Sequence, residues 1–257
     1  MERLKIILSA VTILYVAGIA GINGYAEENK SFQRPEWFPE ISADVAFETK
    51  YVWRGQTLVD DIVVQPGASI SMYDFTFSVW GNYDAGSLDR FTEWDYIFDY
   101  TTSVGQTIRK LGMMEEESML DPLSISLGYI YYTFPNLDGD AYDSHEFYVG
   151  LSYDAMLRPS VMYYADFDSG EGSYWEFGIG HTFAFDQGIE ANVGAVAGYN
   201  AYQWGYDNSF TNLLFSGDVA IPLFEYMTIS PNVNYSLALD DQYDHEFFGG
   251  VNIAISY

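Results

Sequence analysis

Residues 41–54 read Ile-Ser-Ala-Asp-Val-Ala-Phe-Glu-Thr-Lys-Tyr-Val-Trp-Arg, and their period decides the fold class. Ile41, Ala43, Val45, Phe47, Thr49, Tyr51 and Trp53 alternate with Ser42, Asp44, Ala46, Glu48, Lys50, Val52 and Arg54. One face is apolar and the other mostly polar, which is the period of a strand rather than a helix. Similar segments follow at 62–73, 74–84, 92–102, 122–134, 145–154, 157–166, 173–184, 188–200, 211–221, 227–238 and 246–257, giving twelve candidate strands. They are longer than the roughly five or six residues usual in soluble sheets and match the nine to eleven or so that a tilted strand needs to cross a bilayer. Backbone groups in lipid must all be paired, so the strands are predicted to close into a barrel with no free edge.

The connections alternate. Those near 73–74, 155–156, 185–187 and 222–226 are short, while 55–61, 84–91, 135–144, 167–172, 201–210 and 239–245 are longer and acidic. Short periplasmic turns and long external loops are the habit of an outer-membrane barrel. Ser103–Asp121 breaks the pattern: it falls on the short-turn side yet carries Glu115, Glu116 and Glu117, and reads as a periplasmic excursion containing a short helix. On the apolar face, Trp53, Tyr83, Trp94, Tyr131, Phe147, Tyr163, Trp175, Tyr199, Tyr235 and Phe247 gather at the long-loop end, with Phe75, Tyr100, Tyr153, Phe183 and Tyr257 at the other. Amphipathic rings settle at headgroup level, so two aromatic girdles are expected.

Outside the barrel, Arg3 and Lys5 precede an apolar run from Ile6 to Ile22 and the small-residue frame Gly24-Tyr25-Ala26. This predicts an export signal over 1–26, cleaved after Ala26, then an N-terminal periplasmic lead-in over 27–40 and a barrel over 41–257. The competing reading of the run is an uncleaved anchor. An even strand number puts both termini in the periplasm of a barrel in the bacterial outer membrane. Val251, Ile253, Ile255 and Tyr257 share the outward face of the last strand, as in the C-terminal signal read by the barrel-assembly machinery.

Composition removes other classes. Against 10 Lys+Arg stand 37 Asp+Glu, for a formal charge of −27, which phosphate backbones repel, so nucleic acid is excluded as a partner. The lack of cysteine excludes disulfides, thiol catalysis and Cys-bound zinc. Acidity alone would suggest disorder, but 23 Tyr, 18 Phe and 6 Trp within 49% hydrophobic residues argue for an ordered chain.

Three blocks carry a family resemblance: Tyr51-Val52-Trp53-Arg54-Gly55-Gln56-Thr57, then Val64-Gln65-Pro66-Gly67, then Val79-Trp80-Gly81-Asn82. They resemble the opening of a proteobacterial outer-membrane family of porins of the TorF type, and Gly128–Pro135 and Glu146–Tyr153 are similar in order and spacing. The Tyr-Val-Trp-Arg-Gly run is the most specific element, and Ser103–Asp121 departs from the family, which turns more quickly there. The resemblance implies an exported barrel with a transport role and supplies no substrate.

Parity assigns to the inward, pore-lining face the acidic residues Asp44, Glu48, Glu93, Asp95, Asp99, Glu146, Glu176, Glu190, Asp218 and Glu246. The basic residues there are Lys50, Arg54 and Arg158. Such a lining enriches small cations and repels anions, which argues against acidic sugars as cargo. The expected function is therefore passive passage of small hydrophilic solutes, cations preferred. Bulky Trp80, Tyr148 and Tyr174 also point inward, so a non-conducting structural or surface-interaction barrel is the alternative. Arg54 is expected to pair with Glu246 across the closing seam or with Glu48 in its own strand, or else to rest in lumen water. A lipid hydrolase built on His145, His181 or His245 ranks third, since no serine lies two residues from His181. Asp138-Gly139-Asp140 with Asp143 offers carboxylates to calcium but does not match the spacing of a known calcium loop, and external carboxylates are instead bridged through divalent ions to lipopolysaccharide. No cofactor or metal is expected.

Overall fold

The computed structural model describes residues 38–257 except 115 and 138–141. The export signal, residues 27–37 of the lead-in, Glu115 and the Asp138-Gly139-Asp140 motif lie outside the described residues.

Twelve antiparallel strands form a closed barrel: β1 (Glu40–Glu48), β4 (Val63–Met72), β5 (Phe75–Asp84), β6 (Arg90–Ser103), β7 (Leu123–Thr133), β8 (Ser144–Tyr153), β9 (Ser160–Asp166), β10 (Gly172–Ala184), β11 (Glu190–Ala201), β12 (Ser209–Phe224), β13 (Met227–Ala238) and β14 (Glu246–Ser256). Neighbours in sequence are neighbours in the sheet, and β1 closes the ring by pairing with β14 over Ser42↔Ser256 to Glu48↔Gly250 and with β4 at Ile41↔Ile70. Every predicted strand corresponds to a wall strand, which follows from the period: a one-residue slip would turn each apolar face inward.

The one large departure is in the first segment. The wall strand stops at Glu48 rather than running to Arg54. Residues beyond it form a separate two-stranded hairpin of β2 (Tyr51–Trp53) and β3 (Gln56–Val59) that takes no part in the wall.

Register puts the aromatic pairs Tyr163↔Trp175, Trp175↔Tyr199 and Tyr235↔Phe247 on one face, and Phe147, Trp175 and Phe247 are solvent-exposed in the isolated chain. At the other end Phe75↔Tyr100 are directly paired, with ring centroids 4.8 Å apart. The two outward aromatic belts are thus present without Trp53, which is folded inside. The buried residues lie on the other, inward face, and this is where polar side chains such as Glu48, Glu93, Asp95 and Glu146 collect.

The excursion between β6 and β7 contains helix α1 (Val104–Lys110), capped by the Ser103 hydroxyl, which accepts from Gln106 N. Asp121 closes the segment by accepting from the Ser118 amide at 2.8 Å and from the Arg109 guanidinium. The Ser118 N–H, opposed by desolvation and helped by Arg109, holds the Asp121 carboxyl below the usual carboxylate range. A depressed native value means the contribution is present above the ordinary carboxyl pKa and is lost as pH falls through the native one. Acidification below about pH 4 is expected to loosen the excursion locally. Hydrogen exchange of the α1 amides against pH tests this, and the dependence should vanish in Asp121→Asn.

Candidate functional site

The hairpin is the feature that shapes the interior. Its turn is Arg54-Gly55, flanked by the pair Trp53↔Gln56, with φ of 50° at Arg54 and 85° at Gly55. Two positive φ values in a two-residue loop are the type I′ hairpin, whose twist matches that of its strands. Glycine takes such a conformation freely, whereas arginine does not, so Arg54 is held there by its surroundings.

Three sets of contacts hold the hairpin inside the mouth. At its base Lys50 Nζ lies 2.6 Å from Glu246 and 2.7 Å from Asp60, and the Thr57 hydroxyl donates to Glu246 at 2.7 Å. Along its length Tyr51 packs on Trp80 of β5 with centroids 5.4 Å apart, and Trp53 meets Tyr132 of β7 edge-on at 6.1 Å. Tyr51 and Trp80 are both almost wholly buried. At the tip Arg54 reaches the far wall.

The tip is a closed polar network in an aromatic box. Arg54 Nη1 and Nη2 donate to the two carboxylate oxygens of Glu146 on β8 at 2.7 and 2.9 Å, the fork-on-fork arrangement of a bidentate pair. Nη1 also donates to Gln203 Oε1 at 2.7 Å, and Gln203 Nε2 returns to Glu146 at 2.6 Å. The Tyr132 hydroxyl donates to Glu146 at 3.0 Å. The guanidinium carbon sits 4.5, 4.3 and 4.6 Å from the ring centroids of Trp53, Tyr164 and Tyr174, within cation–π range of all three. Side-chain exposure is 5% for Arg54 and 0% for Glu146. A charge pair taken this far from water persists only with such hydrogen bonds, since both carboxylate oxygens and both terminal nitrogens of the fork are engaged.

The local backbone explains how the acceptors are fixed. Glu146 opposes Ile130 on β7 and Asp166 on β9 within the ladder. Gln203 lies in a short loop after β11 between Tyr202 and Trp204, both with positive φ, and is pinned by Asn200 Nδ2 donating to its carbonyl at 3.2 Å and by Trp204 N donating to Gly170 O at 2.6 Å. Tyr174 lies across Gly198 of β11, where any side chain would collide with its hydroxyl. Between the hairpin and the wall lies a cavity of 110 Å³, lined by Trp53, Arg54, Ile97, Tyr132, Asp95 and Glu176 among others and roomy enough for several waters.

The remaining acidic residues lie on the same inward face. Register runs Glu48↔Gly250, Asp44↔Ala254, Glu190↔Ala220, Asp218↔Asn192, Asp95↔Tyr132 and Asp99↔Gly128. Glu93 opposes the wholly buried Asn82. Glu48 accepts from Asn232 at 2.8 Å, Asp99 from Tyr148 at 2.5 Å, Glu176 from Tyr164 at 3.2 Å and Asp218 from Asn192 at 3.0 Å.

The basic residues stand differently from the parity reading. Lys50 and Arg54 are on the inserted segment rather than on a wall strand. The pair expected between Arg54 and Glu246 is replaced by Arg54–Glu146, with Lys50 and Thr57 holding Glu246, because the chain has left the wall after Glu48. Glu48 binds Asn232 rather than Arg54. Arg158 precedes β9, in the turn after β8 with φ of 37°, and its guanidinium donates to Thr182. Strand parity therefore does not apply to it. Gln203, Tyr132 and Tyr164 were absent from the sequence reading, and nothing local to those residues signals a guanidinium site. The histidines are engaged locally: His145 Nδ1 with the Tyr129 hydroxyl at 2.6 Å, His181 Nδ1 with Met156 O at 2.6 Å, and His245 Nδ1 with Ala238 N at 3.0 Å.

No family model matches the chain, and no curated protein matches it by sequence. Among solved structures, it is similar to an outer membrane channel from Pseudomonas putida F1, with a TM-score of 0.52 and 8% identity over 91% of this chain and 100% of that one. It is also similar to the NanC porin, with a TM-score of 0.53 and 11% identity over 83% of this chain and 98% of that one. At such identities the likeness is one of fold.

Proposed function

We propose that the protein is a channel of the bacterial outer membrane for passive passage of small hydrophilic solutes, with cations preferred. The observation that carries this reading is the charge balance of the inward face. Parity assigns ten carboxylates to the inward face, while Lys50 and Arg54 are already committed to Glu246, Asp60 and Glu146. The uncompensated field is negative, and a low-dielectric wall focuses it on the passage. The aromatic belts and the closed, edgeless sheet support a bilayer location, and β14, with Val251, Ile253 and Ile255 facing lipid, is the strand offered to the assembly machinery. External carboxylates would meet lipopolysaccharide through shared divalent ions. The TorF-type assignment rests on the motifs quoted above.

The test is reversal potential across a planar bilayer bearing refolded residues 27–257 under a potassium chloride gradient. A cation-selective potential that shrinks with salt is expected. Anion selectivity would defeat the reading. The inserted hairpin favours a second reading, a barrel that never conducts, for which neither the natural chain nor any hairpin variant would pass current.

A further inference from the structure

The Arg54 site differs from an ordinary interior ion pair in being assembled from both sides of the lumen. The guanidinium arrives on a loop that belongs to no wall strand, while its acceptors are wall and loop residues with their own supports. Glu146 is fixed in the β7–β8–β9 ladder, Gln203 by Asn200, and Tyr174 by its seat over Gly198. The receptor half therefore persists when the hairpin departs, because β1 and β4 complete the barrel without β2 and β3.

We propose that Glu146, Gln203, Tyr132, Tyr164 and Tyr174 form a guanidinium-binding site, and that Arg54 is its tethered occupant. Solutes bearing a free guanidinium or amidinium group compete with Arg54 for this site, and the hairpin swings out of the mouth when they win. The site's chemistry is specific to a planar fork. Two oxygens of Glu146 face two parallel N–H groups, Gln203 takes a further N–H contact, and the rings stack on the cation. A compact ammonium cannot satisfy the fork and the flat faces together. The 110 Å³ cavity at the site is lined by Arg54, Tyr164 and Tyr174 together with the acidic Asp95 and Glu176. The gating half of this proposal rests on the channel reading; the binding half does not.

Chemical rescue separates the two. Arg54→Ala leaves the receptor unoccupied, and its thermal unfolding in detergent is measured with methylguanidinium or methylammonium at equal ionic strength. Methylguanidinium should raise the midpoint of Arg54→Ala, with an apparent affinity at least about tenfold better than methylammonium, and should do so neither in the natural chain nor in Arg54→Ala/Glu146→Gln. If Arg54→Ala does not fold alone, refolding yield becomes the readout, and rescue by methylguanidinium but not methylammonium is the expected result. Equal effects of the two cations, no effect of either, or an equal rise in the natural chain would each overturn the proposal. In bilayers, Arg54→Ala should conduct better than the natural chain, and methylguanidinium should raise the conductance of the natural chain while leaving that of Arg54→Ala unchanged. Guanidinium-specific rescue in a barrel that never conducts would retain the binding site and reject the channel. Conduction without rescue would retain the channel and reject the site.

Discussion

Glu146→Ala is expected to release the hairpin from the lumen while leaving the barrel closed. Without its carboxylate the guanidinium of Arg54, only 5% exposed, loses its bidentate counter-charge and is left to Gln203 and three aromatic rings. Removing one partner of a buried ion pair costs about 3–5 kcal/mol, because the survivor is left charged and desolvated. That moves the docked–undocked equilibrium by roughly two to four orders of magnitude. The cost falls on docking rather than on global unfolding, since the hairpin hydrogen-bonds to itself and the wall ladders do not pass through it. Glu146→Gln should behave similarly, because its amide keeps the shape but not the charge. The double variant Arg54→Met/Glu146→Leu should be less perturbed than either single change, as replacing both members of a buried pair with apolar groups is near neutral. Trypsin reads the outcome directly: Lys50 and Arg54 are its cleavage points in the hairpin, protected in the natural chain and expected to be cut in Glu146→Ala. Equal protection in both would show that the ion pair does not hold the hairpin.

How much of this was legible in the sequence depends on which physical rule governs each part. The wall is governed by alternation, and alternation is local, so twelve strands and both aromatic belts could be read off residue by residue. The same rule failed at residues 49–54 for an instructive reason. Tyr51 and Trp53 continue the odd-numbered apolar parity of Val45 and Phe47, so pattern alone extends the strand. The strand in fact breaks at a bend over residues 49–50, and the Arg54-Gly55 turn, a two-residue hairpin signal, then folds Tyr51–Trp53 back on Gln56–Val59. An aromatic residue facing lipid and one filling the lumen look identical in a hydrophobicity pattern, because both escape water. The partner of Arg54 was illegible for a different reason. Its choice of Glu146 over Glu246 is set by where a loop lands across the barrel, with 92 residues of chain between the two. The inward position of Glu146 could be read from parity, but its pairing could not.

Gly55→Val tests the other end of the same device. Gly55 has φ of 85°, and a Cβ placed there would stand 3.1 Å from Asn212 Cγ. Asn212 has little room to move, since its amide donates to Ser236 at 2.8 Å and its oxygen accepts from Thr211 at 2.8 Å. Valine at positive φ is a true outlier, at a cost of about 1–3 kcal/mol, and the crowding of Asn212 adds to it. The turn should therefore open or undock while Arg54, Glu146, Gln203 and the aromatic box keep their chemistry. This separates Gly55→Val from Glu146→Ala. Both should become sensitive to trypsin at Arg54, and in bilayers both should open more often. Only Gly55→Val should respond to methylguanidinium, because only there is a competent receptor left partly vacant by its own tether. Gly55→Ala, without the β-branch, should show the same effects more weakly. If Gly55→Val stayed as protected from trypsin as the natural chain, the docked I′ turn would not be what keeps Arg54 at the far wall.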